Sequence, residues 1–491
     1  MINLNNNFYK MKYKKYKNKY ITIKNQYGGT VEHINSRLTV FKDTIDKDYI
    51  EQKELEKIKN LTTLTFRQNT ITDDGAANIS EFITKQTKLK EFIFNHNTNE
   101  NKVIEQIVKS LENLKELEKL SFYGYEIVNT EFVALANSFK QMTGLKSLYI
   151  KYNNIEKEGT IALAESFKQM YDLTHLTLDY TRFSSEGTNA LAESFKNMSN
   201  LTYLNLDSNK FKFNSKDAIA LAEGFKNMSN LKSLNLDSNY FGSEGGSALA
   251  EGFKNMPNLT YLNLNSNHIG SEGVIKLATS FKNMSNLTSL NLADNNFDSK
   301  GTSALASGFT HMSGLQTLNL SINNFNNESV IELISSFEKM INLTNINLSS
   351  NNFGNDGAIA LANSFEKMIN LTELVLCFNN IGNSGAIELA KSLYHIHLLT
   401  YLNLNNNNIG NKGAIELVTN FLIKNNDKDC YLDLSNNHIS EKYKSILMSA
   451  VNEKYKLYLD DQKTQENTFI CIPNVNGNHT NIEECKQSEE Y

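Results

Sequence analysis

One asparagine recurs along most of the chain at a fixed interval, and that periodicity limits the fold more than any other feature. The residue closing the string LTYLNLDSN at 201–209 has equivalents at 69, 97, 125, 153, 181, 239, 267, 295, 323, 351, 379, 407 and 437. Every step is 28 residues except two of 30, and the position is Asn in all copies but Tyr125 and Thr181. A period of this size means a stack of like supersecondary units, each unable to bury its apolar face alone. The composition can supply the core, since 40% of the 491 residues are hydrophobic and 21% charged, which excludes wholesale disorder.

Each unit has two halves. The first reads L-x-x-L-x-L-x-x-N, as at Leu231, Leu234 and Leu236 before Asn239. Its last two leucines alternate with period 2, which predicts a short strand with Leu pointing inward. The second half is exemplified by 357–368, where Ala358, Leu361, Ala362, Phe365 and Met368 form the apolar stripe of a three-turn helix. Gly357 is read as the bend into that helix and Gly354 as the exit from the strand.

The chain must turn directly after the strand, which leaves backbone N–H and C=O groups inside. Asn carries a donor and an acceptor, so stacked copies predict a ladder of buried amides: Asn153, Asn209, Asn239, Asn267, Asn295, Asn323, Asn351, Asn379, Asn407 and Asn437. Strands stack about 4.8 Å apart, whereas helices need about 10 Å, so the units act as wedges and bend the row into an arc.

This unit resembles the leucine-rich repeat of the ribonuclease-inhibitor-like subfamily. The resemblance implies an α/β solenoid, a horseshoe of about 14 repeats with a parallel β-sheet on the concave face and helices on the convex face. It further implies a non-enzymatic scaffold that binds a protein partner through the concave face, with no cofactor. An alternative is a regulator that activates a small GTPase, by resemblance to the Ran GTPase-activating protein, although that family's strongly acidic tail is missing here. The ribonuclease inhibitor's alternating repeat lengths and abundant Cys are missing too, so its activity is not carried over.

The repeats occupy 61–460. Residues 30–60 read as a helical N-terminal cap (Ile34, Leu38, Phe41, Ile45, Tyr49, Leu55, Ile58), Ser440–Val451 as the last helix, and 461–491 as a polar tail. The two longer steps place extra residues in Lys210–Lys216 and Lys424–Asp429, as surface loops. In 1–29, Tyr9, Tyr13, Tyr16, Tyr20, Ile23 and Tyr27 fall on one helical face among seven lysines, before Gly28-Gly29. Three readings stay open for this segment: packing on the body or a partner, contact with an anionic surface such as a membrane, or sorting and processing. It resembles an N-terminal segment of proteins from giant DNA viruses of the mimivirus group.

Net charge is −5, which disfavours specific nucleic-acid binding. Four Cys form no disulfide framework, although Cys471 and Cys485 could pair. No apolar run approaches the roughly 18–20 residues of a membrane span, and the lysines of 1–29 precede no apolar signal core, so an intracellular setting, the host cytoplasm or a virion, is expected.

Strand positions between and beside the leucines face the hollow. Between the last two leucines the middle of the column is an Asn strip (Asn205, Asn235, Asn263, Asn291, Asn319, Asn347, with Asn403 beyond), which reads either as recent duplication or as a polar contact surface. The early repeats differ. Tyr123, Tyr149, Lys151, Tyr152, His175, Asp179, Tyr180 and Tyr203 gather aromatics rimmed by charge, the composition of protein-binding hot spots, although ordinary solvated strand residues would look the same. Cys377, Phe378, Tyr401 and Tyr431 form a weaker second patch. His175 and Asp179 stand four residues apart on a strand, about 13 Å, too far for a catalytic pair. His395 and His397 lack further ligands at metal-binding spacing.

Overall fold

The computed structural model describes residues 20–24, 30–46, 48–53, 55–99, 103–124, 127, 129–181, 183–209, 214–424, 429–451 and 455–460. Residues 9–19 and 25–29, both lengthening segments in part (210–213 and 425–428) and the tail 461–491 lie outside them. The chain divides into two compact units, 1–234 and 235–491, the division falling within the strand Ser233–Asn235.

The first unit opens with two antiparallel pairings, Tyr20–Lys24 on Thr30–Ile34 and Thr30–Ile34 on Arg37–Phe41. The extended backbone at Tyr20–Lys24 corrects the expected helix there. The helical cap expected over 30–60 is also corrected: helix is confined to Tyr49–Gln52 and a 3₁₀ turn at Leu55–Lys57. The reason is register. Leu38 and Val40 alternate as buried residues and pair with Leu64 and Phe66, so Arg37–Phe41 is itself the strand of a degenerate repeat. Asp43 takes the asparagine's place, and its N–H donates to Asn69 Oδ1 at 3.0 Å. Its carboxylate is enclosed, accepting from the Tyr49 hydroxyl at 3.0 Å and lying 3.7 Å from Lys53 Nζ. Burial and then the Asp43 charge push the Tyr49 phenol far above its usual range.

From Arg37–Phe41 onward the ladder is parallel and in chain order: Thr63–Arg67, Glu91–Asn95, Lys119–Tyr123, Ser147–Lys151, His175–Thr177 and Tyr203–Asn205. Each strand is followed by a helix, from Asp73–Thr84 to Ser215–Phe225. Thr44–Ile45, Thr70–Ile71 and Thr98–Asn99 pair as a small second sheet. In the second unit Tyr261–Asn263, Ser289–Asn291, Thr317–Asn319, Asn345–Asn347, Glu373–Val375, Tyr401–Asn403, Cys430–Asp433 and Tyr455–Tyr458 pair in the same parallel fashion. Its helices run from Gly242–Phe253 to Glu441–Ala450.

The cores are built from the repeat consensus. The strand leucines, the residue two after the ladder asparagine (Ile269, Phe297, Phe325) and the helix Leu, Phe and Met are almost wholly buried. Close helix approach is set by small residues. The position before the helix Phe is Ser166, Ser194 or Gly224 in one unit and Ser280, Gly308 or Ser336 in the other. A Cβ on Gly308 would stand 2.7 Å from the Ala278 carbonyl oxygen. Gly357 acts within its own repeat: it lies inside the helix Gly354–Ser364, and its Cβ would meet Phe353, that helix's N-cap residue, at 2.7 Å, so room for the buried Phe353 and not a bend requires glycine there.

The closing asparagines point into the protein and bind three repeats together. Asn295 Oδ1 accepts from the N–H groups of Asn267 (3.2 Å) and Ile269 (3.3 Å), while its Nδ2 donates to the carbonyls of Leu264, Leu292 and Ala293. Asn267, Asn323, Asn351, Asn379 and Asn407 repeat the pattern. In the first unit Thr181 substitutes a hydroxyl, donating to Leu178 O, while its N–H donates to Asn209 Oδ1. A second set bridges the turns before the strands. Asn200 and Asn230 in one unit, and Asn286, Asn342 and Asn370 in the other, each donate to a carbonyl of the preceding repeat.

Candidate functional site

With leucines committed to the core and asparagines to the ladder, chemical variety is left to the open face of the sheet. Three rows and the turn beside them make that face. In the first unit one row carries Lys119, Ser147, His175 and Tyr203; the next Ser121, Tyr149, Thr177 and Asn205; the third Tyr123 and Lys151, followed by Asp179 and Asp207 just past the shorter strands.

The middle row explains the monotonous asparagines. Asn205 Oδ1 accepts the N–H of Asp207 at 3.0 Å, and Asn235, Asn263, Asn291, Asn319, Asn347 and Asn403 each accept from the residue two ahead. Such Asx turns divert the N–H that would extend the ladder. Where Thr65, Ile93, Ser121 or Tyr149 stands there instead, the strand runs five residues; in each repeat with Asn there it runs three. Thr177 and Val375 also close three-residue strands without an Asn, so the Asx turn accompanies the short strand and does not alone set its length.

The eight expected residues of the early repeats fall on this face and the adjoining turn. Lys151 Nζ lies 3.3 Å from Asp179 Oδ2 and 5.7 Å from the Tyr123 ring centre. His175 and Tyr203, paired in register, stack at 5.8 Å, and Tyr152 and Tyr180 stack at 4.7 Å. Tyr149 is reached through Lys119, whose Nζ sits 5.4 Å from its ring and 2.6 Å from Glu91. Lys119 and Glu91 were not singled out from sequence; their place one and two strands along the same row as Ser147 is the signal that would have found them. His175 and Asp179 do not meet: His175 Nδ1 shares a hydrogen bond with Thr174 Oγ1 at 2.9 Å. Asp179 is 5% exposed and its Oδ1 has no hydrogen-bond partner. Burial, opposed by Lys151, pushes its carboxyl above the usual aspartate range.

Tyr152 and Tyr180 share a further property, a positive φ of 56° and 55°. Each directly precedes the ladder position, and that seat is left-handed in repeat after repeat: Gln68, His96, Ser208, Ser238, Ser266, Asp294, Ser350, Asn406 and Asn436 occupy it elsewhere. The conformation aims the seat's own N–H at the next repeat's carbonyl, as from Tyr152 to Asp179 (3.2 Å) and Tyr180 to Asp207 (3.0 Å). It costs a side-chain-bearing residue about 1–2 kcal/mol, least for Asn and Asp. Half of these seats hold Ser, Asn or Asp. Tyr152 and Tyr180 are among the others, and Tyr180 is 44% exposed.

In the second patch Tyr401 and Tyr431 stack at 4.4 Å, and Tyr431 and Tyr458 lie 4.8 Å apart. Burial and then the Asp433 charge push the Tyr431 phenol up to about 12. Burial also raises the Cys377 thiol. Among the described residues no group of three His, Cys, Asp or Glu could hold a metal ion, and no helix is long and apolar enough to cross a membrane.

Residues 57–80, 141–164, 227–250, 255–278, 283–306, 339–362, 367–390 and 395–418 match the family model described as a leucine-rich repeat. Those matches fall in both units and coincide with the strand–helix period, so the chain is a leucine-rich repeat protein, an α/β solenoid of that class. No curated protein matches it by sequence. Among solved structures it is similar to an internalin (InlF) from Listeria monocytogenes, at 18% identity and a TM-score of 0.38, over 84% of this chain and 89% of that one. It is also similar to TLR13 in a complex with ssRNA13, at 16% identity and a TM-score of 0.45, over 85% of this chain but 60% of that one.

Proposed function

We propose that the protein is a non-enzymatic scaffold whose first unit binds a protein partner on the open face of its sheet, across Tyr149, Lys151, Tyr152, His175, Tyr180 and Tyr203. Leucine-rich repeat proteins are generally protein-interaction scaffolds. The observation that carries the reading is the Tyr152–Tyr180 pair, two stacked rings held in left-handed seats, the equivalent of which in the next repeat is Ser208. Stacking returns about 0.5–1.5 kcal/mol and offsets part of the backbone cost, yet Tyr180 remains 44% exposed. An ordered, solvent-facing aromatic pair beside a half-screened ion pair matches the anatomy of a hot spot. The nine-to-fourteen-residue α-helices of the repeats further support the ribonuclease-inhibitor-like kind of unit.

The test is a quantitative one. Partners captured by proximity labelling with the wild-type chain are titrated against Tyr152→Ser/Tyr180→Ser and, as a control on the same face, Ser233→Ala. Loss of at least tenfold in affinity with the tyrosine pair alone supports the reading. Unchanged affinity of every captured partner for all three proteins removes it.

A further inference from the structure

One carboxylate on the open face of the first unit lacks a donor that its counterparts have. Asp207, one repeat on in the same row, accepts from the hydroxyl of Ser208, the residue that follows it, at 2.7 Å. In the second unit Asp237 accepts from Ser238 in the same way at 2.9 Å. Asp179 is followed by Tyr180, whose hydroxyl is carried away at the end of the ring, so that bond is not made. The result is a lopsided carboxylate. Asp179 is 5% exposed; its Oδ2 lies 3.3 Å from Lys151 Nζ, while its Oδ1 is shut off from water with no hydrogen-bond partner. A buried acceptor in that condition has lost its hydration and gained nothing in return. The carboxyl is held above the usual aspartate range for the same reason, since burial outweighs the attraction of Lys151.

The missing donor has to come from outside this turn, and the surroundings specify its chemistry. Charge comes first. Asp179 and Asp207 stand on adjacent repeats, about 4.8 Å apart at strand spacing, which favours a cation. Geometry comes next. An incoming ammonium would only exchange one point charge for another at Oδ2. A guanidinium presents a planar fork that donates to both oxygens of one carboxylate at once. Its flat face also suits the rings of the same turn. Tyr152 and Tyr180 stack at 4.7 Å, and the Tyr152 N–H donates to Asp179 O at 3.2 Å. Lys151 is able to give way. Its side chain is 27% exposed, and the Tyr123 ring, centred 5.7 Å from Nζ, still holds the ammonium once Asp179 is taken.

We infer that the partner of this face inserts an arginine side chain at Asp179. Its guanidinium displaces the Lys151 ammonium, donates to Oδ1 and Oδ2, and packs flat against the Tyr152–Tyr180 pair. Lys151 is thus a placeholder that competes with the partner. The inference rests on the reading of this face as a partner surface and adds the chemistry of what the partner brings.

The probe is a library of random peptides displayed on phage and selected on the full-length chain. Selected peptides are first sorted by whether Tyr152→Ser/Tyr180→Ser weakens them; those that it weakens occupy the proposed surface. Among these the expected result is one shared arginine. Its replacement by lysine, or by the neutral isostere citrulline, should cost at least about tenfold in affinity. Asp179→Asn, which keeps the shape of the side chain, should cost as much, and Lys151→Met should raise affinity several-fold. The peptide replacements need no change to the protein, so they decide the matter even where a variant folds poorly. Tyrosine-dependent peptides without a shared arginine, or equal binding of the arginine and lysine versions, would overturn the inference and leave the partner surface in place. So would unchanged affinity for a folded Asp179→Asn protein, or no gain with Lys151→Met. A selection that yields no tyrosine-dependent peptide would remove the partner surface itself, and the inference with it.

Discussion

The N–H of Asn267 donates to the side-chain oxygen of Asn295, one repeat on, at 3.2 Å, and that oxygen also accepts from Ile269. One amide thus serves backbone groups of neighbouring repeats in a place water does not reach. Asn295→Ala orphans both donors and three carbonyl contacts. It should destabilise the protein by about 2–4 kcal/mol, from the cost of unpaired buried groups. Asn153→Ala should cost about 1 kcal/mol or less, since its Oδ1 has no partner and its Nδ2 donates to Lys151 O. Urea melts of the two variants check the order; equal midpoints would contradict it.

Backbone conformation gives the second expectation. Ile322→Asn keeps the left-handed turn and gives it a residue that tolerates it. It should raise stability by about 1 kcal/mol, because a residue 53% exposed has little burial to lose. Differential scanning calorimetry decides the sign.

Helix spacing gives the third. Gly308→Ala places a methyl 2.7 Å from the Ala278 carbonyl oxygen, where backbone must yield. A loss of about 1–3 kcal/mol is expected, against the usual gain from Ala in a helix. Chemical denaturation of the single variant measures it.

Alkaline pH gives the fourth. The folded state holds the Tyr431 proton more tightly than the unfolded chain, because burial and Asp433 raise its pKa to about 12 from 10.0. Between those values the unfolded state has lost a proton that the folded state keeps, so stability falls as pH rises through that window. Tyr431→Phe should flatten that part of the Tm–pH curve. The phenolate difference spectrum between the two proteins should show a transition near 12.

Much of this architecture is legible in the sequence because a repeat averages out local ambiguity. A leucine pair such as Leu234 and Leu236 could sit in many folds, but recurrence at one spacing leaves few. What escaped was whatever broke the consensus or hid behind it. Arg37–Phe41 reads as helix because Ile34, Leu38, Phe41 and Ile45 mimic a helical stripe, while Asp43, 26 residues before Asn69, conceals the ladder. The asparagine column reads as surface because its hydrogen bonds are local and span two residues. The left-handed seat left a trace, the Ser, Asn and Asp that precede the ladder position in half of the repeats, and against that trace Tyr180, Ile322 and Phe378 stand out.

The seat lies between two fixed commitments, the leucine core on one side and the interior amide on the other, yet its side chain belongs to neither. That one letter per repeat is therefore open to substitution at a modest penalty, smallest for Asn and Asp and larger for a β-branched residue. The surface chemistry at that letter is thus set repeat by repeat while the architecture beneath stays the same.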